Sequence, residues 1–225
     1  LIGSSNAIYI ISPNVRLETM DKGSTGRHLL EFTQVDFEIK GSTAKQALHF
    51  IEELLGRILS RVNSDCAEEL AIFGRSLGIP KMPFSIYDSS DLQKEFGFDW
   101  EHIISSRSTG PVWAMNHERE FYDKEDPEKP LTYLNYDLIY PEGFGEALSG
   151  AEREHEYERI LERMHRKKMD LEPYNAYLEV ARAGLLHPSA GAGFGVERLV
   201  RYICGVKRIE DVSPFGKVPG GKFVF

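Results

Sequence analysis

The side chains best suited to chemistry are arginines and carboxylates spread along the chain. They are Arg16, Arg153 and Arg198, together with Asp137 and Glu146. A guanidinium binds a planar carboxylate or stabilises charge that builds up on a phosphate. Aspartate and glutamate are hard oxygen ligands that suit Mg²⁺, which commonly uses a few carboxylates together with substrate phosphates. Without a structural frame, solvated surface is the better explanation of a scattered aspartate and glutamate, so these positions need such a frame.

Two neighbouring segments offer such a frame. Arg16 and Glu18 are two residues apart, so they share one face of an extended chain. Residues 29–39 alternate strictly, with Gln34, Asp36 and Glu38 on one face and apolar residues on the other. Two adjacent strands would therefore present a row of charged groups. A half-buried strand that faces water shows the same alternation, and this second explanation stays open from the pattern alone.

The elements that position these residues follow from periodicity and turn signals. β-branched and alternating runs predict strands over residues 7–17, 29–39, 84–87, 112–116 and 131–140. Helical spacing predicts helices over residues 43–62, 67–77, 91–96 and 173–183, and a charged helix from about residue 151. Residues 191–205 are a glycine-punctuated strand that leads into a helix. This mixture, without repeats or linkers, predicts one α+β domain over residues 1–225, built on an antiparallel sheet.

The composition excludes several classes of protein. The 225 residues contain 27 Lys+Arg and 35 Asp+Glu, a net charge of −8, which argues against a surface built mainly to hold nucleic-acid phosphates. The two cysteines, Cys66 and Cys204, are too few for a disulfide framework or a CxxC metal site, and they predict a reduced, cytoplasmic protein. No apolar run approaches the roughly 20 residues that span a membrane, so we expect no membrane partner.

Several segments, in chain order, resemble one family. Residues 15–18 (VRLE) and 27–38 (RHLLEFTQVDFE) resemble motif 2 of the class II aminoacyl-tRNA synthetases, in the aspartyl/asparaginyl branch. Residues 191–199 (GAGFGVERL) resemble motif 3 of that family, a glycine-rich strand before a helix with a nucleotide-binding arginine. Residues 136–139 (YDLI) and 145–154 (GEALSGAERE) are similar to its metal and amino-acid segments. The resemblance implies a class II synthetase-like antiparallel sheet flanked by helices.

The resemblance also implies an ATP site. Arg16 matches the arginine at the α-phosphate, where charge builds up when a carboxylate oxygen attacks in line. Arg198 would cover the adenine and the γ-phosphate, because a planar cation stacks and donates at once. These two arginines are the expected catalytic residues. The other expected ATP contacts are the adenine-side acid Glu18, the stacking ring Phe32, and the outer-phosphate residues Arg27 and His28.

An amino-acid site and a metal site follow from the same resemblance. Arg153 matches the arginine that clamps the non-reacting carboxylate of the substrate, and Gln34 and Asp36 match the positions that receive its ammonium group. The remaining expected substrate contacts are Ser4, Ser149, Glu154 and Gly195. The pair Arg153 and Glu154 looks more like the asparaginyl than the aspartyl pattern. Asp137 and Glu146 are the expected Mg²⁺ ligands.

The reaction that the resemblance favours is asparagine synthesis. No anticodon-binding barrel precedes the motifs, so the chain resembles most the archaeal asparagine synthetases related to asparaginyl-tRNA synthetase. This resemblance implies an AMP-forming reaction of aspartate, ATP and ammonia through an aspartyl-adenylate. It also implies a homodimer. tRNA is not expected as a partner, but it is not excluded. Neither cysteine is near the start, which favours free ammonia over a glutamine amidotransferase.

Two alternative functions stay open, and the sequence departs from the family pattern at several positions. The chain could be the catalytic core of an asparaginyl- or aspartyl-tRNA synthetase, or a non-catalytic paralogue that binds an amino acid or an adenylate. Motif 1 is absent, and a helix-sized piece of the substrate-binding stretch is expected but missing between Ser5 and Asn6. Gly216 and Lys217 stand where the family shows proline and arginine, which leaves the C-terminal phosphate contacts open.

Overall fold

A seven-stranded sheet organises the computed structural model, which describes residues 3–221. The strands are β1 (Ala7–Val15), β2 (Glu31–Lys40), β3 (Ser85–Asp88), β4 (Val112–Met115), β5 (Asn135–Tyr140), β6 (Gly145–Glu152) and β7 (Ser189–Gly195). The α-helices are α1 (Ala44–Asp65), α2 (Ala67–Ile72), α3 (Ser89–Phe96), α4 (Trp100–Arg107), α5 (Tyr157–Arg166), α6 (Asn175–Arg182) and α7 (Val196–Cys204). Short 3-10 helices span Met20–Thr25, Gly97–Asp99, Glu172–Tyr174 and Ile209–Val212. Leu1 and Ile2, which begin the N-terminal resemblance, lie outside the described residues.

The strand order is β1-β2-β7-β6-β5-β4-β3. Neighbours are antiparallel except for β3 and β4, which are parallel. The predicted α+β fold with an antiparallel sheet flanked by helices is therefore confirmed, apart from that one pair. Because β7 lies between β2 and β6, the three segments that carry the expected site residues are adjacent in space although they are distant in sequence.

One face of the sheet is covered by a large core. Helix α1 begins at a capping box, in which the Thr43 hydroxyl accepts a hydrogen bond from the Gln46 amide and the Gln46 side chain accepts one from the Thr43 amide. Its apolar stripe packs with α7 and the sheet; the members include Ala47, Leu48, Ile51, Leu55, Leu59, Trp113, Leu138, Leu148 and Tyr202. No helix of residues 3–221 is both long and apolar enough to cross a bilayer.

The opposite face is covered only in part. Helices α3 and α4 pack Leu92 and Ile104 against Val112, Ala114 and Ile139 of β4 and β5. A third cluster joins α5 and α6 around Phe121, beside the sheet. The remaining part of this face, over β1, β2, β7 and β6, carries the polar side chains of β2 and forms the cavities described below. The charged row predicted for the first two strands thus lines cavities.

One predicted helix begins later than expected, and one observed helix was not predicted. The charged helix predicted from about residue 151 begins only at Tyr157, because β6 continues to Glu152. Ala147, Leu148 and Ala151 are buried in the sheet, so packing decides the conformation there. Glu152 does not start its own helix: its carboxylate accepts hydrogen bonds from the Ala44 amide at the start of α1 (2.9 Å) and from Lys124 Nζ (2.7 Å). Helix α4 was not predicted, since its apolar residues show weak amphipathic spacing.

Replacing Glu152 with alanine should lower the free energy of unfolding by about 1–3 kcal/mol, because the Ala44 amide and Lys124 lose a buried acceptor. Urea denaturation measures this change. Glu152→Gln keeps an acceptor oxygen and should retain most of the stability. Glu53→Ala is the matched control and should change the stability little, because Glu53 pairs with His49 on the exposed surface of α1. Equal losses in Glu152→Ala and Glu53→Ala would contradict this assignment.

Candidate active site

Two cavities meet on the open face of the sheet. The larger has a volume of about 730 Å³ and the smaller about 380 Å³. Both are lined by Arg16, Gln34, Ser149 and Gly193, so these four residues mark the junction. Arg16 directly follows β1, and its amide donates to the Leu30 carbonyl at 2.9 Å, which fixes the backbone at the junction. A ligand that spans both cavities must therefore pass this guanidinium.

The floor of the larger cavity is the polar face of β2. Gln34 Nε2 donates to Asp36 Oδ1 at 2.8 Å, and Glu38 continues the row. Burial raises the pKa of the Asp36 carboxyl, and the hydrogen bond from Gln34 opposes this shift. The row presents carboxylate oxygens and an amide oxygen, which are acceptors that suit an ammonium group. Ser4, an expected substrate contact, lines the same cavity.

The neighbouring strand β7 leaves room for this row because it presents glycines. In the register, Gly193 faces Asp36 on one side and Ser149 on the other, and Gly191 faces Glu38. A Cβ atom at Gly193 would collide with the Asp36 carboxylate and the Gln34 amide, and one at Gly191 would collide with Glu38. The side chains of β2 therefore lie over a strand that has no side chains at these positions. The glycine-rich pattern thus has a steric cause.

Replacing Gly193 with alanine should displace Asp36 and Gln34. The activity that the resemblance implies, amino-acid-dependent ATP turnover, should then fall by about 100-fold, because small misplacements of binding groups are costly. Gly56→Ala is the matched control, since nothing lies within 4 Å of a Cβ there and the position is inside α1. That control should raise the melting temperature slightly. Steady-state kinetics that find equal activity in the two variants would refute the steric argument.

The raised pKa of Asp36 predicts a trade between stability and binding. A carboxyl whose folded pKa lies above its unfolded value stabilises the fold below the unfolded pKa, and this contribution is lost as the pH rises through the folded pKa. Asp36→Asn should therefore melt higher than the parent chain at pH 7 and lose this advantage near pH 3. The same variant should bind more weakly the amino acid that the resemblance implies as substrate. Asp91→Asn, on the exposed surface of α3, should show neither effect; a lower melting temperature of Asp36→Asn at pH 7 would contradict the sign.

Arg153 lies beside the floor of the larger cavity and is already engaged. Its Nε is 3.2 Å from Glu38 Oε1, and its Nη2 is 3.2 Å from Glu38 Oε2 and 3.4 Å from the Gly191 carbonyl. Its Nη1 is 3.9 Å from Asp123 Oδ1. Ser189 also donates to Glu38, at 2.7 Å. Arg153 is thus in the expected cavity, but as half of an ion pair whose acid was not among the expected site residues.

One wall of the larger cavity was missed by sequence reasoning. Its members Arg119, Glu120, Tyr122 and Asp123 lie in the charged connection between β4 and β5, which carried no motif. The buried Asn135 side chain holds this wall: its Oδ1 accepts from the His117 amide at 2.7 Å, and its Nδ2 donates to the His117 carbonyl and to Asp123. The charge density of the connection was the only available signal.

The smaller cavity contains most of the expected ATP contacts. It is lined by Arg16, Glu18, His28, Phe32 and Arg198, with the Arg16 guanidinium carbon 5.4 Å from the centre of the Phe32 ring. Burial, and then the nearby Arg198, lowers the pKa of His28. The cavity combines an aromatic face with guanidinium groups, which suits a nucleotide.

Helix α7 and β2 are joined at the edge of the smaller cavity. The Glu197 carboxylate accepts the Thr33 amide at 2.9 and 3.0 Å, one hydrogen bond to each oxygen. Arg198, the next residue, donates to the Glu146 carboxylate at 2.9 Å. Arg198, the arginine predicted from motif 3, is therefore brought to Glu146 of β6 and lines the same cavity as Arg16.

The two expected metal ligands belong to different ion pairs. Asp137 Oδ1 accepts from Arg119 Nη1 and Ser149 Oγ, both at 2.6 Å, and its Oδ2 is 3.2 Å from His117 Nε2. Glu146 pairs with Arg198 and lines the smaller cavity. Within residues 3–221 no group of three or more His, Cys, Asp or Glu side chains is arranged to hold a metal. The donor set fits Mg²⁺ only together with phosphate oxygens, so Mg²⁺ binding by this pair stays a prediction.

Three expected contacts are placed elsewhere. Arg27 pairs with Glu101 of α4 and lines neither cavity, because this acid also accepts the Glu146 amide and draws the guanidinium towards α4. Glu154 is buried and accepts the amides of His155 (2.9 Å) and Glu156 (3.2 Å), outside the larger cavity. Gly195 lines the smaller cavity instead of the substrate side.

This geometry agrees with comparisons to known proteins. A family model described as "tRNA synthetases class II (D, K and N)" matches residues 1–219. The chain belongs to this family. An asparagine–tRNA ligase of Pelotomaculum thermopropionicum is 31% identical over 232 residues, which cover 94% of this chain and 53% of that protein. An asparagine–tRNA ligase of Lactobacillus delbrueckii is 29% identical with similar coverage.

Solved structures of class II synthetases have the same fold. Asparaginyl-tRNA synthetase from Pyrococcus horikoshii, complexed with asparaginyl-adenylate, superimposes with a TM-score of 0.87 at 26% identity, over 99% of this chain and 55% of that one. Aspartyl-tRNA synthetase from Entamoeba histolytica has a TM-score of 0.80 at 22% identity, over 97% and 49%, and shows the fold alone. The chain therefore has a class II catalytic fold related to that of asparaginyl-tRNA synthetases, and it spans about half the length of these relatives.

Proposed function

We propose that this chain is the amino-acid-activating core of an asparaginyl- or aspartyl-tRNA synthetase. It would join the carboxylate of asparagine or aspartate to the α-phosphate of ATP, giving an aminoacyl-adenylate and pyrophosphate. The observation that carries the proposal is the junction of the two cavities at Arg16. The relatives that are asparagine–tRNA ligases, and the similar structure complexed with asparaginyl-adenylate, support it.

The chemistry follows from where each group lies. The substrate ammonium binds Asp36 and Gln34 in the larger cavity, which directs the carboxylate towards Arg16. The adenine stacks on Phe32 in the smaller cavity, with Arg198 on its other side. A carboxylate oxygen attacks the α-phosphorus, the bond to the bridging oxygen breaks, and pyrophosphate leaves with the electron pair. Arg16 stabilises the charge that builds up on the α-phosphate oxygens during this displacement.

Magnesium and tRNA complete the proposed reaction. Glu146 and Asp137 would hold Mg²⁺, which neutralises phosphate charge when it is bound. The adenylate would then pass its acyl group to tRNA, the substrate named by the related ligases. The chain spans about half the length of those relatives, so tRNA is stated here as a proposed partner. This proposal replaces the expectation that tRNA is an unlikely partner. ATP and the amino acid are the proposed small-molecule substrates.

A second candidate is the AMP-forming synthesis of asparagine from aspartate and ammonia. The observation that favours it is the presence of two guanidinium groups, Arg119 and Arg153, in the larger cavity beside Arg16. An amino acid with two carboxylates could place one at Arg16 and the other at this pair. Ammonia would then attack the aspartyl-adenylate, releasing AMP and free asparagine. The comparisons support this candidate less than a tRNA synthetase core.

Two further expectations accompany both candidates. The homodimer stays a prediction; the exposed apolar side chains Tyr9, Ile11 and Val15 on β1 are compatible with a second chain at that edge. A cytoplasmic location also stays a prediction, and the free thiols of Cys66 and Cys204 support it. Neither expectation changes the chemistry proposed at the junction.

ATP–pyrophosphate exchange tests amino-acid activation directly. Exchange should depend on asparagine or aspartate, and Arg16→Ala should lower its rate by about 10²–10³-fold, because a donor to the transition state is lost. Arg57→Ala, on the exposed surface of α1, is the matched control and should exchange like the parent chain. Absence of exchange with either amino acid in a folded chain would instead favour the non-catalytic, adenylate-binding alternative.

Product analysis separates the two candidate reactions. The chain is incubated with ATP, Mg²⁺ and [¹⁴C]aspartate or [¹⁴C]asparagine, with ammonium or with tRNA. A tRNA synthetase core should transfer the label to tRNA. If transfer to tRNA needs the rest of the protein, the core should accumulate the labelled adenylate. In both cases it should make no free asparagine from aspartate. Ammonium-dependent free asparagine together with AMP would overturn the first candidate in favour of the second.

A further inference from the structure

A third cavity, of about 390 Å³, lies between helix α5 and the β4–β5 connection, and we refer to it as the α5 cavity. Asp123 is the lining residue that it shares with the larger cavity. Among the residues that line the α5 cavity, Glu154 alone is one of the expected substrate, ATP or metal contacts. A cavity of this volume can hold a small molecule. The α5 cavity therefore has a lining that is largely its own.

The buried guanidinium of Arg163 lines the α5 cavity and has donors without acceptors. Arg163 is 3% exposed, and in the described part of the chain neither its Nε nor its Nη2 has a hydrogen-bond partner. Its Nη1 donates to the Asp123 carbonyl, and its guanidinium carbon lies 3.7 Å from the centre of the Tyr133 ring. No carboxylate among residues 3–221 forms an ion pair with Arg163. A buried charge without a counter-ion is costly, so an acceptor at these donors would stabilise the site.

A buried carboxylate at the same cavity lacks a partner on one of its oxygens. Glu154 is 4% exposed, and its Oε1 accepts the two backbone amides that follow it. Within residues 3–221 its Oε2 accepts no hydrogen bond, and Glu154 does not pair with Arg163 although both line the α5 cavity. The neighbouring Arg166 and Glu125 pair with each other at 2.7 Å. The cavity therefore presents a cation and an anion, each with unused polar atoms.

We propose that the α5 cavity binds a free α-amino acid with an apolar side chain, at a site separate from the one proposed for the substrate. The ligand carboxylate accepts hydrogen bonds from Arg163, and its ammonium group donates to Glu154. Pro127, Pro130 and Leu131 line the same cavity and give an aliphatic side chain apolar contacts. The site does not depend on the proposed function, because Arg16 and the polar face of β2 are not part of its lining.

Ordered water is the alternative occupant of the α5 cavity, since water commonly satisfies buried polar groups. Water would satisfy Arg163 and Glu154 one by one, and it would give the cavity no preference for a molecule that carries both charges. Joint recognition of a carboxylate and an ammonium group therefore separates the two explanations.

The experiment compares three probes of similar shape. Leucine carries both charged groups, isocaproate lacks the ammonium group, and isoamylamine lacks the carboxylate. Ligand-observed NMR titration measures the affinity of the parent chain for each probe. Leucine should bind at least about 10-fold more tightly than either partial probe, as expected for a lost charge-assisted hydrogen bond. Absence of leucine binding to the folded parent chain, or equal affinities for the three probes, would overturn the proposal.

Two variants assign the charged groups. Arg163→Met removes the guanidinium but keeps an unbranched side chain, so the affinities for leucine and isocaproate should fall by about 10-fold and that for isoamylamine should not change. Glu154→Gln should weaken leucine and isoamylamine binding and spare isocaproate. Arg57→Met, on the exposed surface of α1, is the matched control and should bind all three probes like the parent chain. A folding loss would weaken all three probes alike, and that result in both variants would overturn the proposal.

A third variant tests where leucine binds. Asp36→Asn alters the floor of the larger cavity and should leave the leucine affinity within about 2-fold of the parent value. A loss of leucine affinity in Asp36→Asn with none in Arg163→Met would place the ligand in the larger cavity and overturn the proposal. Absence of amino-acid-dependent ATP–pyrophosphate exchange would refute the proposed function alone, so the two failures are distinguishable.

Discussion

The site depends on one steric constraint: the polar side chains of β2 occupy the space beside β7 where Gly191 and Gly193 have no side chains. Asp36 and Gln34 occupy the space that a Cβ at Gly193 would need, and Glu38 does the same at Gly191. Glycine in a strand is normally unfavourable, since it adds backbone entropy and no packing. Here it lets two carboxylates and an amide lie flat on a sheet, within reach of a ligand. The same arrangement opens the space in which the two cavities meet.

Electrostatics then divides this space into two unlike halves. The larger cavity balances Arg119 and Arg153 against nearby acids, so it suits a zwitterion with a second polar end. The smaller cavity combines guanidinium groups with an aromatic ring, so it suits a nucleotide. Arg16 is common to both cavities, and in the proposed reaction it lies where charge would develop on the phosphate. Function follows from this adjacency more than from any single residue.

The sequence was sufficient to predict those elements whose pattern of residues is local or periodic. The capped helix α1, the alternation of β2 and the glycine-rich β7 were all predicted within a few residues of their observed bounds. Arg27 and Glu154 line neither the larger nor the smaller cavity, because their partners Glu101 and the helix-start amides depend on packing between distant segments; their expected contacts stay predictions. The wall formed by the β4–β5 connection was missed because its order comes from the buried Asn135, and no local pattern signals such a contact.

The central claim is that an amino acid and a nucleotide meet at Arg16, and a crystal structure with an aminoacyl-sulfamoyl adenosine tests it most directly. The adenosine should lie against Phe32 in the smaller cavity, and the sulfamoyl group should lie within hydrogen-bond distance of Arg16. The ammonium group should contact Asp36 in the larger cavity. An adenosine bound in the larger cavity, or a sulfamoyl group that does not contact Arg16, would contradict it.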